Sequence, residues 1–168
     1  VSRKKYKLFR ITTVPISLKI LLKDQLNFMN QYFEVVGVSS SGKELEEVSM
    51  VEGIKTIGLD MSREITPIKD LVSLLKMIVL ILKEGPDIVH THTPKAGIVG
   101  MMASWICRVP HRLHTVAGLP VMEVTGKKKR VLIFVEKLTY ACATKVYPNS
   151  YGLQEYILEN KLTSKNKL

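Results

Sequence analysis

The sequence predicts an α/β domain: a Rossmann-like three-layer α/β/α sandwich around a mainly parallel sheet of about six strands. Short apolar runs alternate with longer segments of helical period along the whole chain, as in successive strand–helix units. The central run Phe33-Glu-Val-Val-Gly-Val-Ser39 is mostly apolar, as strands covered on both faces are, and Asp87-Ile-Val-His-Thr-His92 reads as a short buried strand. Proline or small polar residues stop each run abruptly, and right-handed crossovers then make the sheet doubly wound. A chain of 168 residues with 46% hydrophobic content fits one domain, spanning 1–168, with a core that needs neither disulfide nor metal.

The elements follow in order. Lys7-Leu-Phe-Arg-Ile-Thr-Thr13 is a strand ended by Val14-Pro15, and Ser17 is placed to cap a helix from Leu18 to Gln31. After the second strand, Ser40-Ser-Gly42 turns the chain into a short helix from Lys43 to Met50. Lys55-Thr-Ile-Gly-Leu59 is a short strand suited to a sheet edge. Thr66 and Pro67 open a long helix to Lys83, with proline at the first helical position. Pro86 and Asp87 precede the fourth strand, and Pro94 cannot extend it because proline has no N–H to give. Helix from Lys95 to Cys107, strand His111–Val116, loop Ala117–Pro120, helix Lys127–Ala143 and strand Lys145–Tyr147 come next. Ser150 caps a last helix to Asn160.

The chemistry-bearing residues gather at the carboxyl ends of these strands, where open α/β sheets bind ligands. Thr12, Thr13 and Pro15 leave the first strand, and Ser39 to Ser41 the second. His92, Thr93 and Lys95 leave the fourth, Thr115 and Gly118 the fifth, and Asn149 and Ser150 the sixth. The helix beginning at Lys95 offers backbone N–H groups and a positive dipole end to an anion. Lys95 in its first turn opposes that dipole unless an anion is near, and His92 at the strand end faces the cleft. Alternation puts His90 on the same sheet face as His92, deeper and suited to the core; His114 is structural. Glu123 is either a base or sugar-binding carboxylate, or a surface glutamate.

Several classes are excluded. The first turn, Thr12-Thr-Val-Pro-Ile-Ser17, has no glycine to admit a pyrophosphate, so NAD or FAD in the usual mode does not fit. No P-loop sequence occurs. His90 and His92 are spaced to share a metal, but no third ligand accompanies them, so no metal and no cofactor are expected. Cys107 and Cys142 sit in apolar helical patterns and suit free thiols in a reducing compartment. Apolar runs are too short to span a bilayer and no leader is visible, which predicts a cytoplasmic protein.

The net charge of +10 comes partly from clusters at Arg3–Lys5, Lys127-Lys128-Lys129-Arg130 and Lys161–Lys167. It favours anionic partners, or is simply a solvated surface. Lys127 to Arg130 lead into Val131-Leu-Ile-Phe-Val135, which suits peripheral contact with an anionic membrane. An inward-packed helix with a charged end explains it equally well. Aromatic stacking platforms and nucleic-acid-binding signatures are missing, so no nucleic acid is expected.

Pro86-Asp-Ile-Val-His-Thr-His-Thr-Pro-Lys-Ala-Gly97 and Arg112-Leu-His-Thr-Val-Ala-Gly-Leu-Pro120 resemble the N-terminal domain of glycosyltransferase family 4. Glu123 and Gly126 ahead of the basic helix, Glu136 within it, and Val146-Tyr-Pro-Asn-Ser150 extend the resemblance to the bacterial capsular, lipopolysaccharide and exopolysaccharide branch. It implies a GT-B enzyme with two Rossmann-like domains, retaining stereochemistry and a nucleotide-sugar donor. This chain then corresponds to the acceptor-side half, and the C-terminal nucleotide-binding domain with its paired glutamates lies outside it. The acceptor is a polyprenyl-phosphate-linked or other saccharide, and no catalytic residue is assignable in this half, which alone is expected to be inactive. The cleft residues implied are Thr13, Pro15, His92, Thr93, Lys95, Thr115, Gly118, Glu123 and Ser150. Many relatives have a histidine directly before the fifth-strand glycine; Ala117 stands there, so that role does not carry over. The alternative is a non-catalytic Rossmann-like module for a nucleotide or phosphate.

Overall fold

A computed structural model describes residues 5–64 and 66–168; Arg3 and Lys4 of the first basic cluster lie outside them. The six strands β1 (Lys7–Ile11), β2 (Glu34–Ser39), β3 (Lys55–Gly58), β4 (Ile88–Thr91), β5 (His111–Val116) and β6 (Lys145–Pro148) form one sheet. Every pairing is parallel and the order is β3-β2-β1-β4-β5-β6, with β3 at an edge as its length predicted.

The helices divide between the faces. α1 (Pro15–Leu21), α2 (Gln25–Asn30) and α3 (Lys43–Glu52) bury Leu18, Leu22, Leu26, Leu45 and Val48 against Leu8 and Val35. On the other face α4 (Pro67–Glu84), α5 (Pro94–Ile106) and α6 (Gly126–Cys142) enclose Phe9, Ile11, Val36, Val38 and Val89 with Met77, Val99 and Tyr140. α7 (Tyr151–Glu159) adds Ile157 to that larger core. The helix after β1 and the helix after β4 therefore leave on opposite faces. The connections leaving the adjacent strands β1 and β4 diverge there, which is where doubly wound sheets open a crevice at the carboxyl ends.

Most predicted boundaries hold within one or two residues. The chief exception is the single helix expected from Leu18 to Gln31, which is two. Asp24 adopts a left-handed backbone, φ 62°, between them. Glu52, at the end of α3, accepts the N–H groups of Asp24 and Asn27 at 2.8 Å each. A carboxylate at a helix start satisfies free donors and complements the dipole, so α3 supplies the cap that divides the segment. Ser17 is no cap either: it lies inside α1, whose first residue is Pro15.

Candidate functional site

The crevice between β1 and β4 is closed from within by threonines. Thr13 N–H donates to Thr93 Oγ1 at 2.9 Å, and the two hydroxyls lie 2.7 Å apart. Thr13 Oγ1 also accepts the N–H of Ala96, the third residue of α5. This side chain from another strand occupies a donor that the sequence suggested for an anion. Pro94 has no N–H and Gly97 N bonds to Thr93 O, leaving Lys95 N as the free amide of this turn among the described residues. Thr13 and Thr93 thus hold the two strand exits in register.

On the face covered by α1 and α2, a polar chain crosses the sheet. Arg10 Nε donates to His92 Nε2 at 3.0 Å, and Arg10 Nη2 approaches Gln25 Oε1 at 3.4 Å. The rings of His92 and His90 are 4.1 Å apart, and His90 Nε2 meets Thr115 Oγ1 at 2.8 Å. Because His92 Nε2 accepts, its proton is on Nδ1. Burial, then the charge of Arg10, hold the His90 imidazole down to about 3, and burial first holds His92 well below the usual histidine range. Both rings are neutral at physiological pH. The order of depth is the reverse of that expected: His92 is 4% exposed and closed against Arg10, whereas His90 is half-buried. The register explains it, since His92 lies one residue past β4, beside Ile11 and under the α1 side of the crevice.

The opposite sheet face carries a second pair. Thr91 Oγ1 and His114 Nδ1 are 2.7 Å apart, and burial lowers His114 to about 4. A β-carbon on Gly97 would come within 2.6 Å of His114 Cε1, so glycine is required where α5 crosses β5. His114 is structural, as predicted.

The anion that Lys95 faces is supplied by the protein. Its ammonium, on a side chain 9% exposed, pairs with Asp70 of α4 at 2.5 Å. Both line a cavity of about 690 Å3 between α4, α5 and α6. Leu71, Leu74, Ile98, Met102 and Leu132 give it apolar walls, while Arg63, Glu123 and Lys128 bring charge to it. Glu136 also lines it, 5% exposed, and burial pushes its carboxyl up to about 7. A carboxyl poised there exchanges a proton or bonds a hydroxyl at neutral pH.

The remaining candidates lie along the same carboxyl edge. Pro15 is buried at the start of α1. Gly118 is exposed in the loop leaving β5, where Asn149 Nδ2 donates to the Ala117 carbonyl. Ser150 Oγ accepts the N–H of Leu153, a helix cap as predicted. Lys127, Lys128 and Arg130 are exposed on the first turn of α6 and Lys129 is half-buried. Seven of the predicted residues therefore fall into two groups, a crevice with Thr13, His92, Thr93 and Thr115, and a cavity with Lys95, Glu123 and Lys128, while Pro15, Gly118, Ser150 and the other basic residues of α6 stand apart. Arg10 and Asp70 complete these groups and were missed. Arg10 had a visible signal, a lone charge inside an apolar strand; Asp70 looked like an ordinary helix-start acid. Among the described residues, no group of three or more His, Cys, Asp or Glu is arranged to hold a metal.

Residues 18–150 match the family described as glycosyl transferase 4-like. The chain is 39% identical over 166 residues to the capsular polysaccharide biosynthesis glycosyltransferase CapM of Staphylococcus aureus, covering 98% of this chain and 43% of that protein. Over 88 residues, 51% of this chain and 22% of the relative, it is 39% identical to an Escherichia coli enzyme. That enzyme is the UDP-Gal:alpha-D-GlcNAc-diphosphoundecaprenol alpha-1,3-galactosyltransferase. The chain thus spans less than half the length of either curated relative. Its fold is shared by a glycosyltransferase from Rickettsia africae, with a TM-score of 0.68 at 18% identity over 98% of this chain and 42% of that one. Anabaena Alr3699/HepE, solved in complex with UDP, gives 0.66 at 16% identity over 93% and 41%. With the expected sheet, the expected strand-end motifs and a family match across most of its length, this chain belongs to the glycosyl transferase 4-like family.

Proposed function

We propose that this chain is the acceptor-side domain of a retaining glycosyltransferase that builds surface polysaccharide. The enzyme moves a sugar from a nucleotide-sugar donor to a lipid-linked acceptor. The observation that carries this reading is the 39% identity to CapM across 98% of the chain. The cavity between α4, α5 and α6 suits an amphiphilic acceptor, with apolar walls for a chain and Glu123, Glu136 and Lys128 for polar groups. Donor phosphates and the reacting sugar enter from the crevice side, where the second domain faces the strand ends.

Contact with an anionic membrane belongs to the same reading. Val131 and Phe134 are 47% and 67% exposed among Lys127, Arg130 and Lys137, so α6 turns an apolar and basic stripe outward. α4, on the same sheet face, exposes Ile68, Leu71, Leu75, Val79 and Leu82. Such stripes bind lipid surfaces through buried apolar area and attraction to anionic headgroups. No helix among the described residues is long and apolar enough to cross a membrane. The cytoplasmic side of the membrane, where nucleotide sugars are available, is the proposed location.

The test is sugar transfer by the full-length protein, with a panel of UDP-sugars and diphosphoundecaprenol-linked GlcNAc as acceptor. Transfer to the lipid-linked sugar supports the reading. Failure with every donor, together with nucleotide binding, would favour a non-catalytic module. Glu136→Gln in the same assay is expected to raise KM for the acceptor more than it lowers kcat.

A further inference from the structure

Arg10 is a buried cation without a counter-ion. It is 5% exposed, and none of the ion pairs among the described residues includes it. Its two side-chain contacts, His92 Nε2 and Gln25 Oε1, are uncharged and use Nε and Nη2. Burial lowers its ionisation only to about 10, so the guanidinium remains charged at neutral pH. Proteins rarely keep such a charge unpaired, because removing it from water costs several kcal/mol unless an anion compensates.

Its position says where the anion comes from. Arg10 is the penultimate residue of β1 and lies opposite His90 of β4, beside the crevice at which α1 and α5 part. This is the place where doubly wound sheets bind ligands. The same sheet face is open farther along: Leu113 and Thr115 of β5 are only half-buried, and Tyr147 of β6 is 45% exposed. His90 of β4 lies between Arg10 and that open part of the face. The contacts in place leave Nη1 unused, and the neutral histidine Nδ1 of His92 remains a donor.

We infer that Arg10, held by His92 and Gln25, is a diphosphate-binding residue at the β1–β4 crevice. The choice of diphosphate rests on the sugar-transfer reading, which supplies two sources: the nucleotide diphosphate of the donor and the diphosphate of a lipid-linked acceptor. The guanidinium suits either, since Nη1 and the second N–H of Nη2 remain to bond phosphoryl oxygens.

The experiment uses the full-length protein, Arg10→Met and Arg10→Lys, with thermal melts and equilibrium binding of inorganic pyrophosphate, UDP and farnesyl diphosphate. Without ligand, Arg10→Met keeps a cooperative melt, because relief of an uncompensated charge offsets the hydrogen bond that His92 Nε2 loses. With ligand, it binds at least one of the three probes about tenfold or more weakly, the loss expected from a charge-assisted contact. Arg10→Lys recovers part of that loss. Weakening of UDP alone assigns the donor, of farnesyl diphosphate alone the acceptor, and of all three the shared group. Binding of all three probes within twofold of wild type overturns the inference. Sugar transfer by the wild type is read separately, so this site can fail while the enzymatic reading stands.

Discussion

At the scale of single residues, the hydroxyl of Thr13 has an unusually large share of the architecture. It accepts a buried α5 amide and meets Thr93, joining the two strand exits that bound the crevice. Thr13→Val keeps the shape but leaves the Ala96 N–H unpaired, which costs about 1–3 kcal/mol; urea denaturation measures it. Glu136 gives a pH-dependent test. Its folded carboxyl is raised from 4.5 to about 7, so the native state holds a proton that the unfolded chain has lost. Stability from this group is therefore present below pH 4.5 and disappears as pH rises through about 7. Glu136→Gln, which cannot ionise, should gain on the wild type by about 3 kcal/mol between pH 4.5 and 8, seen in paired unfolding curves. The lowered histidines act oppositely in acid but are common to both proteins and cancel.

At the scale of elements, sequence patterning succeeded where structure is local and failed where a partner is remote. Ser150 was legible as a cap because its target, Leu153, is three residues away. The split between α1 and α2 was not, because Glu52 reaches the start of α2 from the far end of α3. Glu52→Ala should cost about 1–3 kcal/mol, as two donors lose a charged acceptor. Hydrogen exchange at Asn27 should quicken well before the strands open. α4 makes a second contrast: Met77 is 0% exposed and Leu75 is 55% exposed on one helix. Met77→Ala should lose about 2–5 kcal/mol, and Leu75→Glu should stay within about 0.5 kcal/mol of wild type, both by chemical denaturation. In the sequence α4 is a long apolar run, and only packing showed which of its side chains stay exposed.

At the scale of the whole molecule, α4 and α6 put their exposed apolar side chains on one sheet face, and the crevice opens at the strand ends. If this face meets lipid, the double variant Leu75→Glu and Phe134→Glu should keep its fold by circular dichroism. It should also lose most of its flotation with phosphatidylglycerol vesicles, while flotation equal to wild type would remove the membrane from the reading. The arrangement also accounts for the mixed fate of the predicted cleft. Thr13, His92, Thr93 and Thr115 converge near the crevice, but Lys95 turns into the cavity because Asp70 of α4 captures it.

The sequence by itself determined the class, the six strands, the parallel winding and the family resemblance, because these depend on short-range periodicity, on proline and on motifs contiguous in the chain. Tertiary structure decided which charges are paired and how deep each histidine lies. Arg10 meets His92 across 82 positions and Lys95 meets Asp70 across 25. The energy of a buried charge is fixed by whatever the fold brings to it, and no local pattern encodes that partner.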